Sequence, residues 1–428
     1  MRCPKCNAWV TPDRATCPEC GTSLKQGGSS GEDGSGSRFD RQARRIAEDE
    51  ERRRVERERR TREWLGDERD GSGVEQRSNP LAGRRGLGVG IDDARPMPMV
   101  ERAAAEEVHL EAEPLGVLNP LLLHAGYSPL RRVAVRSSSP DGLGGMRLAI
   151  SASPPVLQTL TVPLGDLGAG GELEPPAVAP DLEAFSALDE AVRGQLELRV
   201  FYEDTVVAAA SLPATVQTVN EWIALEGVEA ALACAVTPNS NAVEKLLASV
   251  QRDFLAYQLE DPERILEEVA AVYDAIGTLG LTYIGVPPSF EKTGQKILFP
   301  DEVLEQRRGC CIDIAVLTAS VLERAGFNPV IVFTPGHAFC GVWTEEIMAK
   351  KPVIRDGRAI REAARAGGEA KAQLLVWSST TYFDRRGDAG FEAARRTGER
   401  LLKEVEYIID VAACRRRGFK PIPRSVRP

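Results

Sequence analysis

The pattern of apolar and polar residues changes twice along this 428-residue chain. Between about 26 and 112 it lacks the apolar periodicity that a buried helix or strand requires. Between 113 and 220 short alternating runs are separated by Gly and Pro, which predicts β-strands. From 221 onward, apolar runs at helical spacing alternate with short strand-like runs, which predicts an α+β domain. The sequence therefore predicts a multidomain protein whose two cores lie beyond residue 112.

The β-region contains short runs in which apolar and polar residues alternate. Leu196, Leu198 and Val200 share one face of their strand, because successive side chains point to opposite faces. Glu203 and Asp204 form the predicted hairpin turn that follows. The predicted strands are Arg131–Arg136, Met146–Ala152, Leu157–Val162, Gln195–Tyr202 and Thr205–Leu212. This arrangement is typical of a small all-β sandwich, Ig-like in the loose sense.

The α+β region opens with a well-marked helix. Asp261 and Pro262 are a suitable N-cap and first-turn pair. The apolar face that follows consists of Ile265, Val269, Val272 and Ile276. We therefore predict an amphipathic helix that packs on the core through this face.

A second helix is predicted from about Cys311 to Ala325, with Gly326 as its stop. It is apolar on most sides, which indicates a central, buried helix. Three strands and a C-terminal helix complete the prediction, at Val330–Phe333, His337–Trp343, Leu374–Trp377 and Phe391–Glu406.

Residues 1–25 carry two Cys-x-x-Cys pairs with the spacing of a metal site. The four thiolates belong to Cys3, Cys6, Cys17 and Cys20. Two such knuckles place four sulfur ligands around one tetrahedral Zn²⁺. A redox or disulfide role fits this pattern less well. We predict a zinc ribbon with one structural zinc ion, which contacts a partner protein or, with weaker support, nucleic acid.

The linker at 26–112 is predicted to be disordered, apart from one charged segment. Residues 38–70 contain 12 Arg against 11 Asp plus Glu, and many acids precede an Arg by four residues. That order favours a solvated single helix, predicted at 38–69. A nucleic-acid-binding arm is the alternative, which the near balance of charge disfavours.

Composition narrows the function classes. The net charge of −9 argues against a chain-wide role in nucleic-acid binding. The sequence has neither an apolar run of transmembrane length nor an N-terminal secretory signal. Nine cysteines, four of them in Cys-x-x-Cys pairs, indicate metal ligands and free thiols rather than disulfides. We therefore expect a cytoplasmic protein with no membrane association.

The candidate chemistry lies around Cys311 and His337. A helix N-terminus favours a thiolate over a thiol, and Cys311 is placed at such a terminus. His337, the one histidine in the C-terminal half, could accept the thiol proton and later return it to a leaving group. Gln295 is the available amide donor for an oxyanion. Structural roles remain open for all three, whereas Cys234, Cys340 and Cys414 are expected to be buried core residues.

Three segments resemble a known family. They are Leu281-Thr-Tyr-Ile-Gly-Val-Pro-Pro-Ser-Phe-Glu-Lys-Thr-Gly-Gln295, Phe299-Pro-Asp-Glu-Val-Leu-Glu-Gln-Arg-Arg-Gly-Cys-Cys311-Ile-Asp313 and Pro335-Gly-His337-Ala-Phe. Together they resemble a transglutaminase-like, papain-related α+β domain, expected here at 221–428. The resemblance is closest to the N-terminal region of large bacterial superfamily-one helicase-type proteins, which also carry a preceding β-sandwich, expected here at 113–220. In the family pattern Arg-Gly-Thr-Cys, the threonine corresponds to Cys310 and the nucleophile to Cys311.

One position departs from the family pattern. The family places a carboxylate on the strand after the histidine, where this chain has Ser378 in Leu374-Leu-Val-Trp-Ser378. A serine can orient an imidazole through a hydrogen bond, but it does not stabilise imidazolium charge as a carboxylate does. Loss of the acid from such a triad costs about 10⁴ in rate. Asp384 or Asp388 is the alternative third member.

The resemblance implies thiol-dependent acyl transfer on an amide bond. Cys311 would attack, His337 would act as base and then acid, Gln295 would help to hold the oxyanion and Ser378 would orient the imidazole. Water as acceptor gives a cysteine peptidase or amidase, and an amine gives a cross-linking enzyme. The alternative is a catalytically degenerate domain in a scaffold that binds partners through its zinc ribbon and β-sandwich.

Overall fold

The computed structural model describes nine segments of the chain, namely residues 108–138, 142–167, 169–250, 252–255, 261–285, 294–345, 351–365, 373–383 and 390–423. The chain divides into two compact units, Met1–Asp92 and Asp93–Pro428, and every described residue belongs to the second. The predicted zinc ribbon, the charged helix, Asp384 and Asp388 therefore lie outside the described residues.

The first part of this unit consists of two β-sheets. Its strands are β1 (Val108–Pro114), β2 (Val117–Leu118), β3 (Leu130–Ser137), β4 (Met146–Ser153), β5 (Leu160–Pro163), β6 (Gly170–Leu173), β7 (Val192–Tyr202) and β8 (Thr205–Val216). One sheet has the order β1-β3-β6 and the other the order β2-β8-β7-β4-β5. All five predicted strands are present, although the third begins at Leu160 rather than Leu157, which makes only an isolated bridge to Pro180. β1 begins at Val108, before the boundary predicted at 113.

The two sheets share one hydrophobic core. Val133 and Val135 of β3 contribute from one sheet, and Leu148 of β4 and Leu198 of β7 contribute from the other. The predicted inward face of β7 is confirmed, because its apolar residues from 196 to 200 are fully buried. Glu203 takes a positive φ of 51° in the turn between β7 and β8. The Ig-like relationship of this two-layer arrangement stays a prediction.

Nine α-helices occur among the described residues. They are α1 (Pro120–His124), α2 (Leu182–Ser186), α3 (Asn241–Ser249), α4 (Pro262–Gly277), α5 (Pro300–Gln306), α6 (Cys311–Arg324), α7 (Gly357–Ala363), α8 (Phe391–Leu401) and α9 (Val411–Arg416). The Asp261 carboxylate caps α4 by accepting the backbone N–H groups of Glu263 at 3.0 Å and Arg264 at 3.3 Å. The predicted apolar face of α4 is confirmed, because all four of its residues are buried.

The second part of the unit is built on a five-stranded antiparallel sheet. Its members are β13 (Pro329–Thr334), β14 (His337–Trp343), β15 (Val353–Ile354), β16 (Leu374–Trp377) and β17 (Tyr407–Asp410), in the order β15-β17-β13-β14-β16. Two short ladders flank it. β9 (Glu221–Trp222) pairs antiparallel with β11 (Gln295–Lys296), and β10 (Thr282–Tyr283) pairs parallel with β12 (Arg308–Gly309).

Helix α6 lies against β13 and β14. Every residue from Ile312 to Leu322 is buried, which confirms the predicted central helix. A helix with apolar side chains on nearly every side is stable only when neighbours cover all of them. Gly326 adopts φ +91° just beyond the helix, as its predicted role as a stop requires. The nucleophile candidate therefore lies at the start of a helix that its neighbours cover on nearly every side.

The prediction for the C-terminal helix was wrong in its extent. α8 ends at Leu401, and a 3₁₀ turn at Leu402–Glu404 leads directly into β17. The polar spacing of the helix continues into this turn, but Tyr407–Asp410 is fully buried and pairs with β13. The chain therefore changes from helix α8 to strand β17 within a few residues.

Candidate active site

The backbone that leads into α6 is held by a buried carboxylate. Cys310 is the N-cap residue, with extended φ and ψ of −93° and −176°. Asp313, in the first turn, accepts the backbone N–H of Cys310 at 2.8 Å and that of Leu298 at 2.8 Å. Both bonds satisfy donors that would otherwise be unpaired at the start of the helix. Asp313 thereby fixes the position of Cys311 relative to the segment that carries Gln295.

His337 reaches the same place from the sheet. It is the first residue of β14 and pairs with Thr334 across the turn between β13 and β14, where Gly336 has φ +70°. The ring is partly exposed and stacks at 5.8 Å from the ring of Phe339. Because α6 packs on these two strands, the hairpin brings the imidazole to the N-terminus of the helix.

The surroundings of Cys311 favour its thiolate. The pKa of the thiol lies well below its usual value, chiefly because the Cys310 thiol hydrogen-bonds to it. The His337 ring, by hydrogen bonding and charge, and the Ala338 backbone N–H lower it further, against the opposing effect of burial. The pKa of Cys310 moves upward, because it hydrogen-bonds to Cys311, is buried and lies near the Asp313 carboxylate. Cys311 is thus the sulfur of this pair that gives up its proton.

The remaining cysteines of the described residues behave as core groups. Burial raises the pKa of Cys234 to about 12. It also raises the pKa values of Cys340 and Cys414. All three side chains are completely buried, which confirms the expectation from sequence. The depressed pKa of Cys311 is therefore a property of its site, since burial alone acts in the opposite direction.

Gln295 lies close to this pair but contacts Cys310. It belongs to β11, pairs with Trp222 and is only 4% exposed. Its Nε2 donates to the Cys310 Sγ at 3.5 Å, and its buried Oε1 has no hydrogen-bond partner among the described residues. The Gln295 amide thus contacts the Cys310 thiol, which lies between the amide and the nucleophile candidate Cys311. Its role at the oxyanion stays a prediction.

Ser378 follows β16 and is 1% exposed. Its hydroxyl lies 2.9 Å from the Thr380 hydroxyl and accepts the Thr380 backbone N–H at 3.3 Å, while its own N–H donates to the Ala394 carbonyl of α8 at 3.0 Å. No hydrogen bond joins Ser378 to the His337 ring within the described ranges. The proposed orientation of the imidazole by Ser378 stays a prediction.

Sequence reasoning missed Tyr283. Its hydroxyl hydrogen-bonds to Cys311, and burial together with the two cysteines raises its pKa, so the phenol stays protonated. The signal for this contact is the pairing of β10 with β12, in which Tyr283 stands opposite Gly309. Two-residue strands carry no periodicity, so a sequence pattern does not reveal this pairing.

The comparison with known families agrees with this geometry. Residues 239–340 match a family model described as a transglutaminase-like domain. The match contains Gln295, Cys311 and His337, and it ends before Ser378. A search of curated proteins finds no match. The matched residues thus include α6, β13, the first part of β14 and both candidate reactive groups.

Two further searches of the described residues bear on function. No helix there combines the length and the apolar character needed to cross a bilayer. No cluster of three or more His, Cys, Asp or Glu side chains suited to a metal ion occurs in that part of the chain. The predicted zinc ligands Cys3, Cys6, Cys17 and Cys20 lie outside it.

Proposed function

We propose that the transglutaminase-like domain catalyses thiol-dependent acyl transfer on an amide bond, with Cys311 as nucleophile and His337 as general base and acid. The observation that carries this proposal is the placement of Cys311 at the N-terminus of α6, in hydrogen-bond contact with His337, the first residue of β14. The family match over 239–340 supports the same reaction class. A depressed thiol pKa beside an imidazole is the usual requirement for this chemistry.

The reaction balances with these two groups. The Cys311 sulfur attacks the amide carbonyl, and its proton resides on His337. The carbonyl oxygen becomes an oxyanion, which free N–H groups of the first turn of α6 can stabilise. Collapse breaks the C–N bond, and His337 gives its proton to the departing amine. His337 then deprotonates the acceptor, which attacks the thioester and releases Cys311 as a thiolate that recovers its proton.

Hydrolysis is the proposed outcome, because neither the sequence nor the described residues identify a binding site for an amine. Transfer to an amine uses the same thioester and differs only in the second half-reaction. A biotin-labelled primary amine, supplied together with a glutamine-containing peptide library, separates the two. Release of acid or ammonia without amine incorporation supports hydrolysis, whereas amine incorporation that depends on Cys311 assigns cross-linking.

The test of the thiol itself requires no substrate. An alkyne-bearing iodoacetamide, applied at low concentration and neutral pH, is expected to label wild type at Cys311 and to leave Cys311→Ala unlabelled. Cys234→Ala is the matched control, because that thiol is fully buried and its pKa is raised. Equal labelling of wild type and Cys311→Ala overturns the proposal. Peptide mapping places the label on one sulfur.

A scaffold is the second candidate function, favoured by one observation. Ser378, at the position of the family carboxylate, bonds to Thr380, and no carboxylate bonds to His337 within the described ranges. A domain without its acid could retain the fold and bind partners only. Capture of the same partners by wild type and Cys311→Ala, with no thioester detected by mass spectrometry, would favour this function.

A further inference from the structure

Tyr283 stands at a fixed position beside the nucleophile. In the parallel ladder of β10 and β12 it lies opposite Gly309. The backbone N–H of Thr282 donates to the Arg307 carbonyl at 2.8 Å, and that of Ile284 donates to the Gly309 carbonyl at 3.0 Å. These two bonds flank Tyr283 on both sides. The backbone of Tyr283 is thus tied to the same residues that lead into α6.

The ring of Tyr283 is supported on one side and open on another. It packs against the ring of Phe383, with 5.2 Å between ring centroids. Even so, 39% of the residue is exposed. A hydroxyl that contacts the sulfur and a ring that faces solvent together place Tyr283 on the route by which an acyl donor approaches Cys311.

The amide expected to serve the oxyanion is engaged elsewhere. The Nε2 of Gln295 donates to Cys310, and the side chain is 4% exposed beneath that thiol. Tyr283, in contrast, presents an O–H donor directly to Cys311. When sulfur attacks a carbonyl, negative charge moves from the sulfur to an oxygen two bonds away. A donor already on the sulfur can follow that charge with little movement.

We propose that Tyr283 is a catalytic residue, whose hydroxyl donates to the Cys311 thiolate in the resting site and to the substrate carbonyl oxygen in the tetrahedral intermediate. The phenolic proton stays on Tyr283 throughout, and the proton of the thiol moves to His337. This inference rests on the proposed function, because it assigns a donor to the acyl-transfer reaction of Cys311. It assigns to Tyr283 the side-chain donor role that sequence reasoning gave to Gln295.

Two reagents separate the two parts of this role in Tyr283→Phe, the smallest change that removes the donor. Iodoacetamide alkylation reports the thiolate and forms no oxyanion, whereas acylation by 4-nitrophenyl acetate passes through one. Loss of a hydrogen bond to a charged group is expected to raise the apparent pKa of alkylation by about one to two units. At a pH where both proteins are fully ionised, alkylation rates converge, while acylation of the variant stays about a hundredfold slower.

Tyr202→Phe is the matched control, because Tyr202 is also exposed, at 44%, and lies on β7 of the sandwich part. It is expected to match wild type in both reactions, and equal thermal midpoints of all three proteins confirm intact folding. Wild-type behaviour of Tyr283→Phe in both reactions overturns the inference and leaves the proposed function standing. A variant that alkylates with a raised pKa but acylates normally at high pH overturns the oxyanion part. If wild-type Cys311 itself fails to react, the proposed function falls, and the inference falls with it.

Discussion

The backbone of Trp377 lies directly against Gly398, so a Cβ placed on Gly398 would meet the Trp377 Cα at 2.7 Å. At this contact α8 packs on β16, the strand that precedes Ser378. Real Cβ atoms do not approach backbone this closely, and backbone on both sides of the contact cannot move aside cheaply. The absence of a side chain at Gly398 is therefore a packing requirement of this edge of the site.

Gly398→Ala is expected to destabilise the protein although alanine is the better helix former by about 1 kcal/mol. Overpacking against backbone costs about 1–3 kcal/mol and outweighs that gain. Chemical denaturation measures the difference in the free energy of unfolding. Gly171→Ala, at a glycine with open space around its Cβ position and no positive φ, is expected to be neutral. Equal stability of the two variants would contradict the role assigned to Gly398.

Asp313→Ala is expected to lower the free energy of unfolding by about 2–4 kcal/mol, because two backbone donors lose a charged acceptor. The loss should also slow the labelling of Cys311, since Cys310 and Leu298 are no longer held at the helix entry. Asp356→Ala removes a comparable N-cap carboxylate from α7 and should leave labelling unchanged. A reactive Cys311 in Asp313→Ala would show that the clamp is dispensable for the site.

The pKa of Asp313 is raised by burial, and this fixes the sign of its pH dependence. A raised folded-state pKa means that the protonated form is favoured by folding relative to the unfolded chain. That contribution is fully present below the unfolded pKa of about 3.9 and is lost as pH rises through the folded value. The stability of wild type relative to Asp313→Asn is therefore expected to fall from about pH 4 upward, as followed by urea denaturation at several pH values. If the difference in the free energy of unfolding between wild type and Asp313→Asn does not change with pH, the raised pKa of Asp313 is contradicted.

Ser378→Ala tests the residue at the family's carboxylate position. If the hydroxyl orients His337, acylation of Cys311 should slow by about five- to tenfold, the value of one neutral hydrogen bond. Ser379→Ala is a closely matched control, because Ser379 is equally buried and no described residue hydrogen-bonds to its hydroxyl. Single-turnover acylation rates compare the two. Identical rates would show that the Ser378 hydroxyl stabilises the turn with Thr380 and does not orient His337.

Zinc content tests the predicted ribbon at 1–25 independently of the site. The full chain is expected to carry about one zinc ion, bound by four thiolates. Cys17→Ser should reduce the zinc measured by elemental mass spectrometry, whereas Cys311→Ala should retain it and lose thiol labelling. An unchanged zinc content in Cys17→Ser, or the absence of zinc from wild type, would contradict the predicted zinc ribbon.

Much of the fold follows from local signals. Asp261 before Pro262 and the apolar face from Ile265 to Ile276 indicate α4 without reference to the rest of the chain. The uniformly apolar run after Cys311 predicts a buried helix, because only complete coverage stabilises it. Since the hairpin from β13 to β14 must pack on such a helix, the proximity of Cys311 and His337 was predictable as well.

The parts that could not be predicted depend on long-range pairing. Tyr283 reaches Cys311 through a two-residue parallel ladder, for which the sequence offers no periodicity. Tyr407–Asp410 has no predicted element, because this short strand is defined by its pairing with β13. Gln295 was predicted to serve the oxyanion at Cys311, and that role stays a prediction; the donation of its Nε2 to Cys310 depends on side-chain geometry that the sequence does not reveal.

The most direct test of Cys311 as a nucleophile activated by His337 is the pH dependence of its alkylation by iodoacetamide, compared in wild type, His337→Ala and His109→Ala. Because only the thiolate reacts, a depressed pKa places the midpoint of the wild-type profile well below the ordinary cysteine value of about 8.5. His337→Ala is expected to move this midpoint upward by about one unit or more, while His109→Ala, at an exposed position of β1, leaves it unchanged. A wild-type midpoint at or above the ordinary value, or the same midpoint in His337→Ala, would contradict the activation of Cys311 by His337.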